Sequence, residues 1–240
     1  ALLLIITGGN VLLGALCVIS LIGMFELYRI FKIEKEPAGV AGYIAAIVYY
    51  LNLLFGFIPD MMMFVLGVLV VLMFIYVFSY PKYKTEQMLA AFFAVFYVAV
   101  MLSFVYRTRM LPMGTYTVWL IFLCSWGCDT CAYCAGMLLG KHRLAPVLSP
   151  KKSIEGAVGG VLLTVVAALI IAQFLPLATS TLHTVLIGLL VAFGAIVGDL
   201  FESYLKRSFG VKDSGNILPG HGGFADRFDS FLLVAPLCFY

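Results

Sequence analysis

Charge is scarce in this sequence. Lys and Arg together number 15 and Asp and Glu 12, or 11% of 240 residues, where a soluble globular domain carries about a quarter. That deficit, with the apolar composition that accompanies it, excludes a secreted disulfide scaffold, a disordered tail and a soluble nucleic-acid binder. A formal charge of +3 is too small to point to a polyanionic partner, so what matters is where the few charges sit. What fills the chain instead is apolar: 63% of its residues, at a mean hydropathy of +1.09. A helix needs about 20 apolar residues to cross a bilayer. The composition therefore predicts an all-α, polytopic integral membrane protein.

Charged and turn-rich breaks leave apolar segments near 11–30, 41–57, 61–79, 86–106, 115–139, 156–175, 182–205 and 226–240, and residues 1–6 read as the end of one more. The expectation is about nine transmembrane helices. The chain starts without Met inside an apolar run, which reads as a cut end and not as a signal peptide. Counting alternate loops puts 13 of the 15 Lys and Arg on one side and only Arg107 and Arg109 on the other, which predicts that the first side is cytoplasmic. Loops on the opposite side, such as Phe57–Asp60 and 176–179, are short and hold nothing that looks like a site.

More than half of all charges lie from Asp129 onward. Residues 1–114 read as transmembrane scaffold, and 115–240 as the catalytic region with its cytoplasmic loops. Asp129 lies about ten residues before the end of its helix, roughly 15 Å into the membrane. An aspartate there costs on the order of 2.5–3.5 kcal/mol to insert and needs a partner or a wet cavity. Asp199 and Glu202 share one helix face with Ser203 and Lys206, and Asp226 and Asp229 are likewise three apart at the start of the final helix. Clustered carboxylates repel one another unless a cation or a proton lies between them. The plain alternative is salt bridging with Lys206, Arg207 and Arg227.

Mg²⁺ is usually held by one or two carboxylates, with substrate phosphates completing its shell. Two segments offer phosphate-binding groups. Ser149-Pro150-Lys151-Lys152-Ser153 reads as a basic, proline-bent turn ahead of Glu155-Gly156 and Gly159-Gly160, and Pro219-Gly220-His221-Gly222-Gly223 is a loop whose backbone N–H groups can approach an anion. Each alone equals a basic loop meeting anionic lipid. With the carboxylates they describe a metal-assisted phosphate site at the membrane surface. Cys124, Cys128, Cys131 and Cys134 cannot wrap a tetrahedral ion from one helix and read as packing residues.

Ser203–Asp229, SYLKRSFGVKDSGNILPGHGGFADRFD, resembles the signature of the phosphatidate cytidylyltransferases, with Ser203, Lys206, Arg207, Lys212, Asp213, Gly215, Pro219, His221, Gly222, Gly223, Asp226, Arg227 and Asp229 all in place. Asp129–Gly160 is similar to a second block of that family through Asp129-Thr130, Ala132-Tyr133, Gly136, Gly140-Lys141-His142, Ser149-Pro150-Lys151-Lys152 and Glu155-Gly156. It departs at Met137, Ser153 and Cys131, where Arg, Thr and a small non-thiol residue are common. The resemblance implies a reaction of CTP with phosphatidic acid giving CDP-diacylglycerol and pyrophosphate, dependent on Mg²⁺ with a second, monovalent cation such as K⁺ beside it. It implies Asp199 and Asp226 as metal ligands. Lys206, Arg207, Lys212, Asp213, His221 and Asp229 are then expected to be catalytic. Ser149, Lys141, Lys151, Lys152, Gly222, Gly223, Arg227 and Asp129 are expected to bind substrate. It further implies a homodimer in the inner (cell) membrane with its site facing the cytoplasm, and no nucleic-acid partner. The competing reading is an ion- or proton-coupled transporter that uses Asp129, Asp199 and Glu202 as a relay. Against it, one half of the chain is chemically empty and a relay has no use for basic and glycine-rich loops. Transfer from CDP-diacylglycerol to an alcohol would require a differently spaced set of aspartates, which is absent.

Overall fold

A computed structural model describes residues 2–174, 181–210, 223 and 225–240. The described chain is helical apart from one two-stranded ribbon. Its elements are α1 (Leu2–Thr7), α2 (Gly9–Ile30), α3 (Pro37–Phe55), α4 (Met61–Phe78), α5 (Thr85–Ala94), a π-helical stretch (Val95–Val100), α6 (Met101–Arg109) and α7 (Gly114–Leu139), then β1 (Arg143–Ala145), β2 (Ser149–Ser153), α8 (Ile154–Phe174), α9 (Thr181–Ser208) and α10 (Ala225–Phe239). Among the described residues, seven helices have the length and composition to cross a membrane, with α5, the π-helical stretch and α6 forming one of them. The expected count of nine is not reached among the described residues. α1 has 6 residues and α10 has 15 with Pro236 inside it. At 1.5 Å per residue, 15 residues reach only about 22 Å, short of the roughly 30 Å hydrocarbon core. The loop expected at 176–179 lies outside the described residues.

Among the described residues the chain forms two compact units, one running to Tyr106 and including 225, the other holding 107–210 and 226–240. In the first, helix boundaries follow from local chemistry. Pro37 opens α3, where a missing N–H costs nothing. Gly56 closes it in a left-handed conformation, φ 67°. The Asp60 carboxylate accepts the Met62 N–H at 2.9 Å and caps α4. A π turn leaves carbonyls without their usual partners, and in a membrane those must be met from within the protein. Side-chain hydroxyls supply that here. Tyr50 donates to the Ala99 carbonyl at 3.2 Å and Ser103 to that of Val100 at 2.6 Å. Each hydroxyl has one proton, so Ser20 donates to Tyr50 (2.8 Å) and Tyr49 to Ser103 (2.7 Å). Around this buried seam the outer faces stay apolar, as on α4, where Phe74 and Phe78 are exposed.

In the second unit, α7, α8 and α9 pack side by side. Lipid offers helices no hydrophobic reason to associate, so close approach depends on small residues. A Cβ at position 160 would lie 2.9 Å from the Ala132 Cβ and 3.0 Å from the Cys128 carbonyl oxygen, so Gly160 lets α7 and α8 touch. A Cβ at 198 would lie 2.7 Å from the Asp229 carbonyl oxygen, so Gly198 admits the backbone of α10 beside α9. Cys124 and Cys128 are buried in this packing, Cys131 is half-buried and Cys134 exposed, all as free thiols. Residues 149–153, expected as a turn, form instead the second strand of an antiparallel ribbon, with Arg143 opposite Ser153 and Ala145 opposite Ser149.

Candidate functional site

Glu155 makes that ribbon possible. Its carboxylate accepts the backbone N–H of Lys141 at 3.1 Å and that of His142 at 3.2 Å, and sits 2.6 Å from His142 Nδ1. The Ile154 N–H donates to the His142 carbonyl at 2.9 Å, and the Arg143 guanidinium donates to the Pro150 carbonyl. The chain leaving α7 is thereby tied to the first turn of α8, and the intervening residues close into a short antiparallel pair. Inside the turn into α8, Ser153 Oγ accepts the Gly156 N–H at 3.1 Å.

The ribbon lines part of a cavity of about 370 Å³. Asp129, Tyr133 and Gly136 of α7 line it, with Ser149, Lys151, Lys152 and Ser153 of the ribbon, Gly156 of α8 and Asp199 of α9. Lys152 forms an ion pair with Asp199, each about a quarter exposed. Asp129 accepts a hydrogen bond from Ser230 Oγ of α10 at 3.0 Å, and Asp229 accepts the Ser230 N–H at 2.7 Å. Asp229 interacts electrostatically with both Asp199 and Asp129, and Asp129 with Lys152. One turn further along α9, Glu202 is buried at 4% exposure, with Lys206 Nζ 3.9 Å from its Oε1.

The structure thus brings together Asp129, Asp199, Asp229, Lys151, Lys152 and Ser149 of the expected set. Lys141 is exposed and does not line the cavity; its backbone, not its ammonium, is held. Arg207 is exposed at the end of α9. Gly223 is buried. Lys212, Asp213, His221 and Gly222 lie outside the described residues, and Asp226 and Arg227 lie on α10 with their side chains outside the description. Sequence reasoning passed over Ser125 and Ser230, the buried hydroxyls behind Asp129. The spacing of Ser125 and Asp129, one turn apart on α7, was the available signal.

Chemically, two carboxylates, Asp129 of α7 and Asp199 of α9, line a cavity whose basic groups come from the ribbon, and Asp229 of α10 interacts electrostatically with both. Hard cations and phosphates are met by carboxylate oxygens and by basic groups respectively, and both kinds of group are present on this wall. Its donors are oxygen-only, the set a hard cation takes, and acids outnumber the paired Lys152. Among the described residues no three His, Cys, Asp or Glu side chains converge closely enough to hold an ion, and Lys152 is drawn onto Asp199.

Comparison with known proteins places the chain in a family. The sequence pattern of the cytidylyltransferase family matches residues 1–240. Relatives named phosphatidate cytidylyltransferase include one from Staphylococcus epidermidis, 44% identical over 158 residues, and one from Staphylococcus saprophyticus, 42% identical over 158 residues. Each of these alignments covers 65% of this chain and 60% of the relative, so the chain spans less than two thirds of their length. A relative of the same name from Staphylococcus aureus is 38% identical over 240 residues, covering 98% of this chain and 90% of its own.

Proposed function

The chain belongs to the cytidylyltransferase family, and from that premise we propose that it transfers CMP from CTP to phosphatidic acid, giving CDP-diacylglycerol and pyrophosphate. The observation that carries the reading is the match along the whole chain, which includes every residue of the carboxylate and lysine cavity. A phosphate oxygen of the lipid attacks the α-phosphorus of CTP. The new P–O bond forms as the bond to the β-phosphate oxygen breaks, and pyrophosphate leaves with that bond's electrons. The nucleophile is already an anion, so no strong general base is needed. What the protein contributes is positioning and charge neutralisation.

Lys151 and Lys152 hold phosphate oxygens at the ribbon, with Ser149 beside them. Lys206, Arg207 and Lys212 neutralise the triphosphate, and His221 with Gly222 and Gly223 lines the pyrophosphate region. Asp199 and Asp226 are the residues that would hold Mg²⁺, which would neutralise developing charge on the phosphates, with a monovalent cation such as K⁺ beside it. In the resting arrangement Lys152 stands in for that positive charge on Asp199. The site faces the cytoplasm, where CTP is found, in a cell-membrane homodimer. The transporter reading has no comparable support: the ribbon and its lysines serve no purpose in an ion relay.

The test is direct. Purified protein incubated with cytidine-labelled CTP, phosphatidic acid and Mg²⁺ should produce a lipid-extractable cytidine product. Absence of that product from folded protein would contradict the proposal.

A further inference from the structure

We propose that Ser125 and Ser230 form a buried hydroxyl relay that holds the Asp129 carboxylate in place at the cavity wall, making Ser230 a positioning residue for transfer. The inference rests on the cytidylyl-transfer reading of that cavity and adds two residues to it. Ser230 follows directly on the Ser203–Asp229 signature, and Ser125 lies outside both motif blocks.

The direction of the relay follows from proton counting. A carboxylate only accepts, so Ser230 Oγ donates its single proton to Asp129 Oδ2 at 3.0 Å. The 2.8 Å contact between the two serine hydroxyls then runs from Ser125 to Ser230. Ser125 is 0% and Ser230 1% exposed, so bulk water does not compete with either donor in the intact protein. Removing the Ser230 hydroxyl takes a donor from Asp129 and at the same time leaves the Ser125 proton without its acceptor. Hydrogen bonds in such a chain polarise one another, and their effects do not add.

A pair of serines between two membrane helices also serves as adhesive. Two observations set this pair apart. Its end point is a carboxylate that lines the cavity, one turn from Ser125 on the same helix. In addition, the Ser230 backbone N–H holds Asp229 Oδ1 at 2.7 Å, so one residue orients two acids that interact with each other and with Asp199. Gly198 allows this backbone to approach Asp199.

The experiment is a mutational cycle on the full chain in lipid, read as kcat and KM separately and as the infrared carboxylate band of ¹³C-aspartate-labelled protein. Asp129→Asn identifies the Asp129 contribution to that band. Ser230→Ala should lower kcat about tenfold with KM for CTP within about twofold. Ser125→Ala should lower kcat about two- to threefold, because Ser230 still donates. The double variant should be no worse than Ser230→Ala, and Ser230→Ala should add nothing in an Asp129→Asn background. Both serine variants should shift the Asp129 band. Losses that multiply, a further loss in the Asp129→Asn background, or a fall in thermal stability with kcat and KM unchanged would overturn the relay and leave a packing role. The infrared readout needs no turnover. If wild-type protein made no cytidine lipid, the functional reading would fall while the band, shifted or unshifted, still decided the relay.

Discussion

Lys152 is the residue whose behaviour separates a substrate-ready site from a salt bridge. In the structure it neutralises Asp199, yet it sits on a ribbon that faces the cavity, beside Lys151. Replacing both with Ala should raise KM for CTP or phosphatidic acid about tenfold or more, as expected when charge-assisted contacts to phosphate are lost. Steady-state kinetics against each substrate in turn will show which phosphate they hold, and unchanged constants would make the ribbon structural. Asp199→Asn and Asp226→Asn should reduce transfer by at least about a hundredfold while the protein stays inserted and folded. The check is residual activity together with a melting curve. In the other unit, Glu36 pairs with Lys82 at 2.5 Å and accepts a hydrogen bond from Tyr83. The Lys82 ammonium, aided by Tyr83, holds the Glu36 carboxyl below its ordinary value. A depressed carboxyl adds stability above its unfolded value and loses it as pH falls through the folded one. Lys82→Ala should therefore move the Glu36 titration upward, measurable by carboxyl ¹³C NMR.

Among the elements, the ribbon and the α9–α10 contact matter most, and the sequence revealed them unevenly. Helices were legible because each hydrophobic run is bounded by residues that stop or cap it, as at Pro37, Gly56 and Asp60. The ribbon was not. Its five-residue second strand contains Pro150 and two lysines, a poor strand by propensity. What closes it is the Glu155 carboxylate reaching back 14 residues to the Lys141 N–H, a contact no local pattern encodes. Glu155→Ala should loosen the ribbon and raise KM for the nucleotide several-fold with a smaller change in kcat, and Glu155→Gln, which can still accept one N–H, should recover part of the loss. Likewise Asp129 was legible as a charge needing a partner, but not the identity of that partner. Its hydrogen bond comes from residue 230, 101 positions away. At Gly198 even one added carbon meets the Asp229 carbonyl, so Gly198→Ala should destabilise the fold by about 1–3 kcal/mol and lower activity through displacement of Asp199.

At the scale of the whole molecule, the two compact units differ in chemistry. One unit is built around hydroxyl-tyrosine seams with apolar outer faces, and the other carries the cavity. Of the acids inside membrane-spanning helices, Asp129 and Asp199 line the cavity and Glu202 lies one turn along α9 from Asp199, so their insertion cost is offset by a polar cavity and by one another's partners. Acids from two helices, Asp129 and Asp199, lining one cavity with two ribbon lysines are what the proposed chemistry draws on. The most direct test uses the protein in vesicles containing phosphatidic acid, supplied with CTP labelled either at the α- or at the γ-phosphate. Transfer of the cytidylyl group predicts that the α label enters the lipid fraction and the γ label leaves as pyrophosphate. Label from the γ position in lipid, or from neither position, would contradict the account.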